Sequence, residues 1–151
     1  MQKITPFLMF NEGAVEAMEF YASIFKNAKI VSKLPGEDGK TMGGTIEVEG
    51  QRIHTYNGGP HFSFTQGFSL MFGAETQEEV DHLYESLSEG GEQQACGWLK
   101  DKFGVSWQIT PTILMRLLSD PDKAKAGRAM QAMLKMTKII IADLEAAAGS
   151  A

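Results

Sequence analysis

A chain of 151 residues, 43% apolar and 22% charged, has the size of one compact domain or of two small repeats, and its balance excludes a disordered, collagen-like or low-complexity polymer. Nineteen acidic against fourteen basic residues give a net charge of −5, which speaks against a general phosphate-backbone binder, so no nucleic-acid partner is expected. Cys96 is the only cysteine, the N-terminus has no charged-then-apolar leader, and no apolar run approaches the ~20 residues of a membrane span; a soluble, cytoplasmic protein with no membrane partner is expected.

In chain order, Ile4 to Phe10 is a short apolar run that reads as a strand, stopped by Asn11-Glu12-Gly13. Ala14, Ala17, Met18, Tyr21, Ile24 and Phe25 then recur at spacings of three and four, the stripe of a helix that Asn27 would end. Lys29 to Lys33, Thr41 to Glu49 and Gln51 to Tyr56 read as three strands, separated by Pro35-Gly36-Glu37-Asp38-Gly39 and by Glu49-Gly50.

The order repeats. Phe68 to Phe72 reads as a strand, Thr76-Gln77-Glu78-Glu79 as a capping box, and Val80, Leu83, Tyr84 and Leu87 as the apolar stripe of a helix closed by Gly90-Gly91. Glu92 to Leu99 and Gly104 to Thr110 supply further strands. Leu8-Met9-Phe10 matches Leu70-Met71-Phe72 at an offset of 62, Tyr21 matches Tyr84 at 63, and Gly50 matches Gly104 at 54, as a duplicated half with unequal loops would. After Pro111 the pattern turns helical: Ser119-Asp120-Pro121 predicts a cap and first helical position, Met130, Met133, Leu134 and Thr137 a packed face, and Leu144 to Ala148 a last short helix. Residues 120–138 carry +3, leaving −8 for the rest, and read as a solvated basic helix face.

Asn57-Gly58-Gly59-Pro60-His61-Phe62, Gln77-Glu78-Glu79-Val80 and above all the string Cys96 to Gln108 resemble the PhnB-like branch of the vicinal oxygen chelate superfamily, which includes glyoxalases, bleomycin resistance proteins and extradiol dioxygenases. Many members of that branch carry the label 3-demethylubiquinone-9 3-methyltransferase. The resemblance runs over about residues 4–148. It implies an α+β fold of two βαβββ modules, curved mixed sheets around a shared cleft, plus C-terminal helices, usually as a homodimer. On this basis 1–151 is one glyoxalase-like domain, with module one about 3–60, module two about 66–110 and a helical segment about 112–148.

The superfamily's chemistry is a divalent metal held by four side chains on the cleft strands, stabilising an oxyanion or enediolate on a substrate with two neighbouring oxygens. This sequence supplies such a site poorly, with Thr5 and Pro6 on the first strand and only Ser69 at the strand that opens the second module. The Gly50 to Gly104 match makes His54 and Gln108 equivalent, and the resemblance places Gln108 where metal-binding relatives have glutamate. Strand alternation sets Tyr56 beside His54, and Ser106 and Thr110 beside Gln108, with Ile53 and Trp107 pointing the other way. One imidazole and one amide make weak metal candidates, because nothing there balances the charge of the ion.

The candidate ligand-binding residues are therefore His54, Tyr56, Ser69, Ser106 and Gln108, with His61 at a cleft rim and Cys96 as a cleft-facing thiol. Plain structural roles stand beside each: His54 hydrogen-bonded within the sheet, His61 on a surface loop, Cys96 in the core. Trp98 and Trp107 read as packing anchors, Asp101 as an acceptor of turn amides, His82 as solvent-exposed, and Phe62, Phe64 and Phe68 as pocket wall or core. No catalytic residue is assigned, and whether the chain is an enzyme stays open. A metal-free module that binds a small molecule in the cleft is preferred. The alternative is a metal-dependent enzyme of the glyoxalase or dioxygenase type acting on a small oxygenated substrate. Methyl transfer is the third reading and the weakest, since no Gly-x-Gly occurs in the chain.

Overall fold

A strand, a helix and three further strands form in each half of the chain; the apolar runs and turns predict all three in the first half, and in the second only two, one of which divides. The computed structural model describes residues 2–149, and the chain falls into two units, the first ending at Phe64 and the second beginning at Thr65. Each unit holds one four-stranded mixed sheet, which makes the chain α+β with two modules and C-terminal helices.

In the first unit, β1 (Phe7–Phe10), α1 (Ala14–Ile24), β2 (Ala28–Pro35), β3 (Thr41–Val48) and β4 (Gln51–Asn57) give the sheet order β1-β4-β3-β2. β1 runs parallel to β4, and the other pairs are antiparallel. The apolar stripe of α1 is buried as its spacing requires, against Leu8, Phe10, Ile46, Val48 and Ile53 of the sheet. Each of the larger aliphatic and phenylalanine side chains among these stabilises the unit by about 1.5–3 kcal/mol, and the alanines contribute less. Gly13 brings no capping side chain to α1; Asn57, at the end of β4, instead accepts the Ala14 N–H at 2.9 Å, so strand and helix start are locked together. The helix ends at Ile24, three residues before Asn27, and Phe25 is already extended. The β3–β4 turn is only Glu49-Gly50, both at positive φ (50° and 80°), the left-handed pair that matches the twist of a two-residue hairpin.

In the second unit, β5 (Leu70–Ala74), α2 (Gln77–Ser88), β6 (Glu92–Gln93), β7 (Trp98–Lys100) and β8 (Ser106–Pro111) give the order β5-β8-β7-β6, again with a parallel first pair. Thr76 caps α2 through the Glu79 N–H, while the Glu79 carboxylate reaches back to the Glu75 N–H at 2.8 Å. The strand expected at Phe68 to Phe72 lies two residues later, and Phe68 is exposed. The strand expected from Glu92 to Leu99 is broken. Ala95–Gly97 forms one tight helical turn, with Cys96 and Gly97 left-handed at φ 61° and 83°. Their amides donate to the Met136 and Thr137 carbonyls, at 2.9 and 2.8 Å, so a segment forty residues away sets this bend.

The repeat is real at the helices: Tyr21 and Tyr84 each sit eighth in their helix and both are buried. Gly50 and Gly104 share a positive φ within their hairpin turns. The Leu-Met-Phe strings, however, are out of step. Leu8 pairs with Thr55; the residue equivalent to Thr55, five after Gly104, is Ile109, and it pairs with Phe72 rather than with Leu70. The two strings face the same way but are displaced by two residues.

The chain ends in α3 (Thr112–Leu118), α4 (Lys123–Leu134) and α5 (Ile141–Gly149), around a small core of Leu114, Ile139 and Leu144. α4 starts later than Ser119-Asp120-Pro121 suggests, because Asp122 accepts the Ala124 and Lys125 amides, while Asp120 accepts that of Asp122. Its buried residue is Ala129; of the expected packed face Met133 packs against the Leu114, Ile139 and Leu144 core, while Met130, Leu134 and Thr137 are exposed, which corrects the rest. The Gln77 side chain ties α2 to α5, donating to the Ile139 carbonyl and accepting the Ile141 N–H at 2.7 Å. Arg128 closes α5 by donating to the Ala147 and Ala148 carbonyls. Among the described residues no helix is long and apolar enough to cross a membrane.

Candidate functional site

The face of the first sheet opposite α1 is a ladder fixed by the two-residue hairpin: Glu47 stands opposite Arg52, Thr45 opposite His54, and Gly43 opposite Tyr56. On the far side of β4, Phe7 pairs with His54 and Met9 with Tyr56. His54 and Tyr56 thus share one face, as alternation requires, while Ile53 is buried on the other. The His54 Nδ1 lies 2.7 Å from the Thr45 hydroxyl, and its ring meets the Phe7 ring edge-on at 6.1 Å. When Thr45 donates, the remaining proton of the neutral ring sits on Nε2, which has no partner among the described residues; the Tyr56 hydroxyl has none either. Phe7 is 53% exposed, so an apolar plate flanks these two polar groups. Glu47 is the carboxylate on this ladder, and Lys29 and Arg52 hold it at 3.7 and 3.3 Å.

The second sheet builds the equivalent face from different chemistry. Gln108 pairs with Trp98 on one side and Met71 on the other. Its Nε2 donates to the Ser69 hydroxyl at 2.9 Å, which brings two expected site residues together. Ser106 is buried at 2% exposure, and Trp107 is buried on the helix side. Below them, Asp101 closes the β7–β8 turn by accepting the Phe103 and Val105 amides through Oδ1 and the Trp107 indole N–H through Oδ2, all within 3.0 Å. Asp101 is thus the turn acceptor the sequence predicts, extended to anchor a tryptophan.

The remaining expected residues lie apart from these ladders. His61 is exposed in a turn in which its N–H donates to the Gly59 carbonyl. Cys96 is a free, half-buried thiol in the left-handed bend between β6 and β7. His82 is exposed on α2. Phe62 and Phe68 are exposed, whereas Phe64 packs edge-on against Phe10 at 5.2 Å. Thr45 and Phe7 are the partners sequence reasoning missed. The first was readable, since a hairpin that turns at Glu49-Gly50 must pair residue 45 with 54; the second depends on a parallel pairing with no local signal.

A divalent metal does not fit these residues. Among the described residues no group of three or more His, Cys, Asp or Glu side chains is placed to hold an ion. On the first face the imidazole has one nitrogen engaged by Thr45, Phe7 stands opposite it on β1 and Tyr56 follows two residues on in β4, and the carboxylate Glu47 is paired with two cations. On the second, Gln108 and Ser69 offer neutral oxygens that leave a dication uncompensated.

The sequence profile described as 3-demethylubiquinone-9 3-methyltransferase matches residues 2–110. A PhnB protein from Bacillus cereus described by the same name is 36% identical over 73% of this chain and 99% of its own, with a TM-score of 0.68. Protein PA1353 from Pseudomonas aeruginosa is 22% identical over 74% of this chain and 98% of its own, with a TM-score of 0.60. The fosfomycin resistance protein FosX from Listeria monocytogenes, crystallised with Mn(II) and sulfate, is 19% identical over 77% and 97%, with a TM-score of 0.59. These last two are likenesses of fold alone. No curated protein matches the chain.

Proposed function

From a chain that belongs to the 3-demethylubiquinone-9 3-methyltransferase family, the PhnB-like group of the vicinal oxygen chelate superfamily, we propose a metal-free module that binds a small oxygenated molecule on its sheet faces. The observation that carries this reading is the pair His54 and Tyr56. One imidazole nitrogen and one phenol hydroxyl stand two residues apart on one face of β4 with no partner among the described residues, beside the exposed Phe7 ring. Thr45 orients the imidazole, so the nitrogen meeting a ligand oxygen is held in place before binding. Such a site recognises a flat or apolar body that carries a carbonyl or hydroxyl. Gln108, oriented by Ser69, offers the second sheet an amide with the same hydrogen-bonding reach but no titratable proton.

Methyl transfer is not carried over from the family's description. The turn from β1 to α1 holds a single glycine, Gly13, and the turn from β5 to α2 is Glu75-Thr76, engaged in capping. Neither forms the glycine-rich strand-to-helix turn with which common S-adenosylmethionine enzymes approach their cofactor.

The test is a thermal-shift screen of hydroxylated and carbonyl-bearing aromatic compounds, repeated on His54→Ala and Tyr56→Phe proteins. A compound that binds here raises the midpoint with concentration by mass action, and each substitution lowers its affinity roughly tenfold, the effect of one lost hydrogen bond with about 1.4 kcal/mol. Hits unaffected by both substitutions would remove the ligand from this face. S-Adenosylmethionine is included, and its binding would restore the methyltransferase reading.

A further inference from the structure

At the open edge of the second sheet, Gln66, Glu92, Gln94, Ala95 and Trp98 line a cavity of about 420 Å³. Register places these groups. β6 is the outermost strand, Glu92 stands opposite Lys100, and Trp98 stands opposite Gln108. Gln93 turns to the other side, where it bonds Ser88 of α2, so Glu92 and Gln94 fall on the face that carries Trp98. The left-handed bend at Cys96 and Gly97 keeps β6 and β7 from running on as one strand and turns the chain back, so that the two pair as antiparallel neighbours.

The lining is polar and uncommitted. The Glu92 carboxylate has no hydrogen bond or ion pair among the described residues, not even with Lys100 across the ladder. The side-chain amides of Gln66 and Gln94 and the Trp98 indole N–H have no partners there either. The backbone behind them is settled, because the Tyr84 hydroxyl donates to the Gln94 and Trp98 carbonyls at 2.8 and 2.9 Å. The pocket therefore offers a fixed half-buried indole, two adaptable amides and one carboxylate, in a chain whose net charge of −5 attracts cations.

We propose that this cavity is a binding subsite for an organic ammonium compound, whose cation is held between the Glu92 carboxylate and the Trp98 ring. Attraction to an aromatic face and to a carboxylate both require positive charge, and the two glutamine amides supply hydrogen bonds for polar substituents on the same ligand. The subsite is built from groups other than His54 and Tyr56 and stands whether or not the reading above is right.

The experiment titrates the whole chain with benzyltrimethylammonium, following tryptophan fluorescence and calorimetry, against its uncharged carbon isostere neopentylbenzene and against benzoate. Saturable binding of the cation alone is expected, weakened by added salt and by about tenfold in Glu92→Gln, as the loss of one charge-assisted contact implies. Trp98→Phe keeps a ring and is expected to weaken binding less, while abolishing the fluorescence response. Trp107 is buried, with its indole N–H on Asp101, and does not report on this cavity. His54→Ala leaves the titration unchanged, which separates this subsite from the sheet-face ligand. Equal binding of the isostere or of benzoate, an unaltered affinity in Glu92→Gln, or no saturable binding of the cation would overturn the proposal.

Discussion

The two units repeat one backbone plan and close it by opposite means. The first hairpin turns on two left-handed residues, Glu49 and Gly50, and needs no side chain; the second takes five residues and is organised by the buried carboxylate of Asp101. The sheet faces differ in the same way: an imidazole held by Thr45 against a phenylalanine in one, an amide held by Ser69 beside a tryptophan in the other. A duplicated fold thus fixes where side chains stand and leaves each rung free to acquire its own chemistry.

The sharpest way to break the comparison is at the turns. Asp101→Ala leaves two amides and an indole N–H without their acceptor in a site only 2% exposed, and should cost about 3–5 kcal/mol in urea unfolding. Gly50→Ala meets no atom within 4 Å, so it carries only the left-handed penalty of about 1–2 kcal/mol. Equal costs at the two turns would contradict the contrast between side-chain and backbone closure.

A smaller effect separates the second unit from the first through its C-terminal helices. Lys138 bridges Asp81 and Glu85 of α2 at 2.9 and 3.1 Å. The Gln77 amide and then the Lys138 ammonium hold the Asp81 carboxyl below its ordinary value, while the hydrogen bond to Asp81 raises Lys138. A depressed carboxyl stabilises the fold above its unfolded pKa of about 3.9, and that contribution is lost as pH falls through the folded value. A raised ammonium stabilises it below about 10.4, and that contribution is lost as pH rises through the folded value. Lys138→Ala should therefore lower stability between those limits by no more than about 0.5 kcal/mol, because the pair is partly exposed and screened. The difference should shrink toward either extreme; a constant difference across that range would assign Lys138 a packing role instead.

Much of the fold was legible because it is local. The buried faces of α1 and α2, the Thr76 cap and the sides taken by His54, Tyr56 and Gln108 all follow from spacing within a few residues. What escaped was set from a distance: the break in the strand expected at Glu92 to Leu99 is imposed by Met136 and Thr137, and α1 is capped by Asn57. The Leu-Met-Phe strings misled because identical letters two residues out of step still face the same way on a strand. Of the candidate site, the residue types and their sides could be read. The contacts of His54 with Phe7 and of Gln108 with Ser69 could not, since both arise between segments distant in sequence.

The most direct test of the central claim, a sheet face that binds without a metal, is elemental analysis of protein purified without chelator or affinity metal and then dialysed against Mn(II), Ni(II) or Zn(II), with His54→Ala alongside. The account predicts metal far below one ion per chain and no difference between the two proteins. Close to one ion per chain, lost in His54→Ala, would contradict it and make His54 a metal ligand.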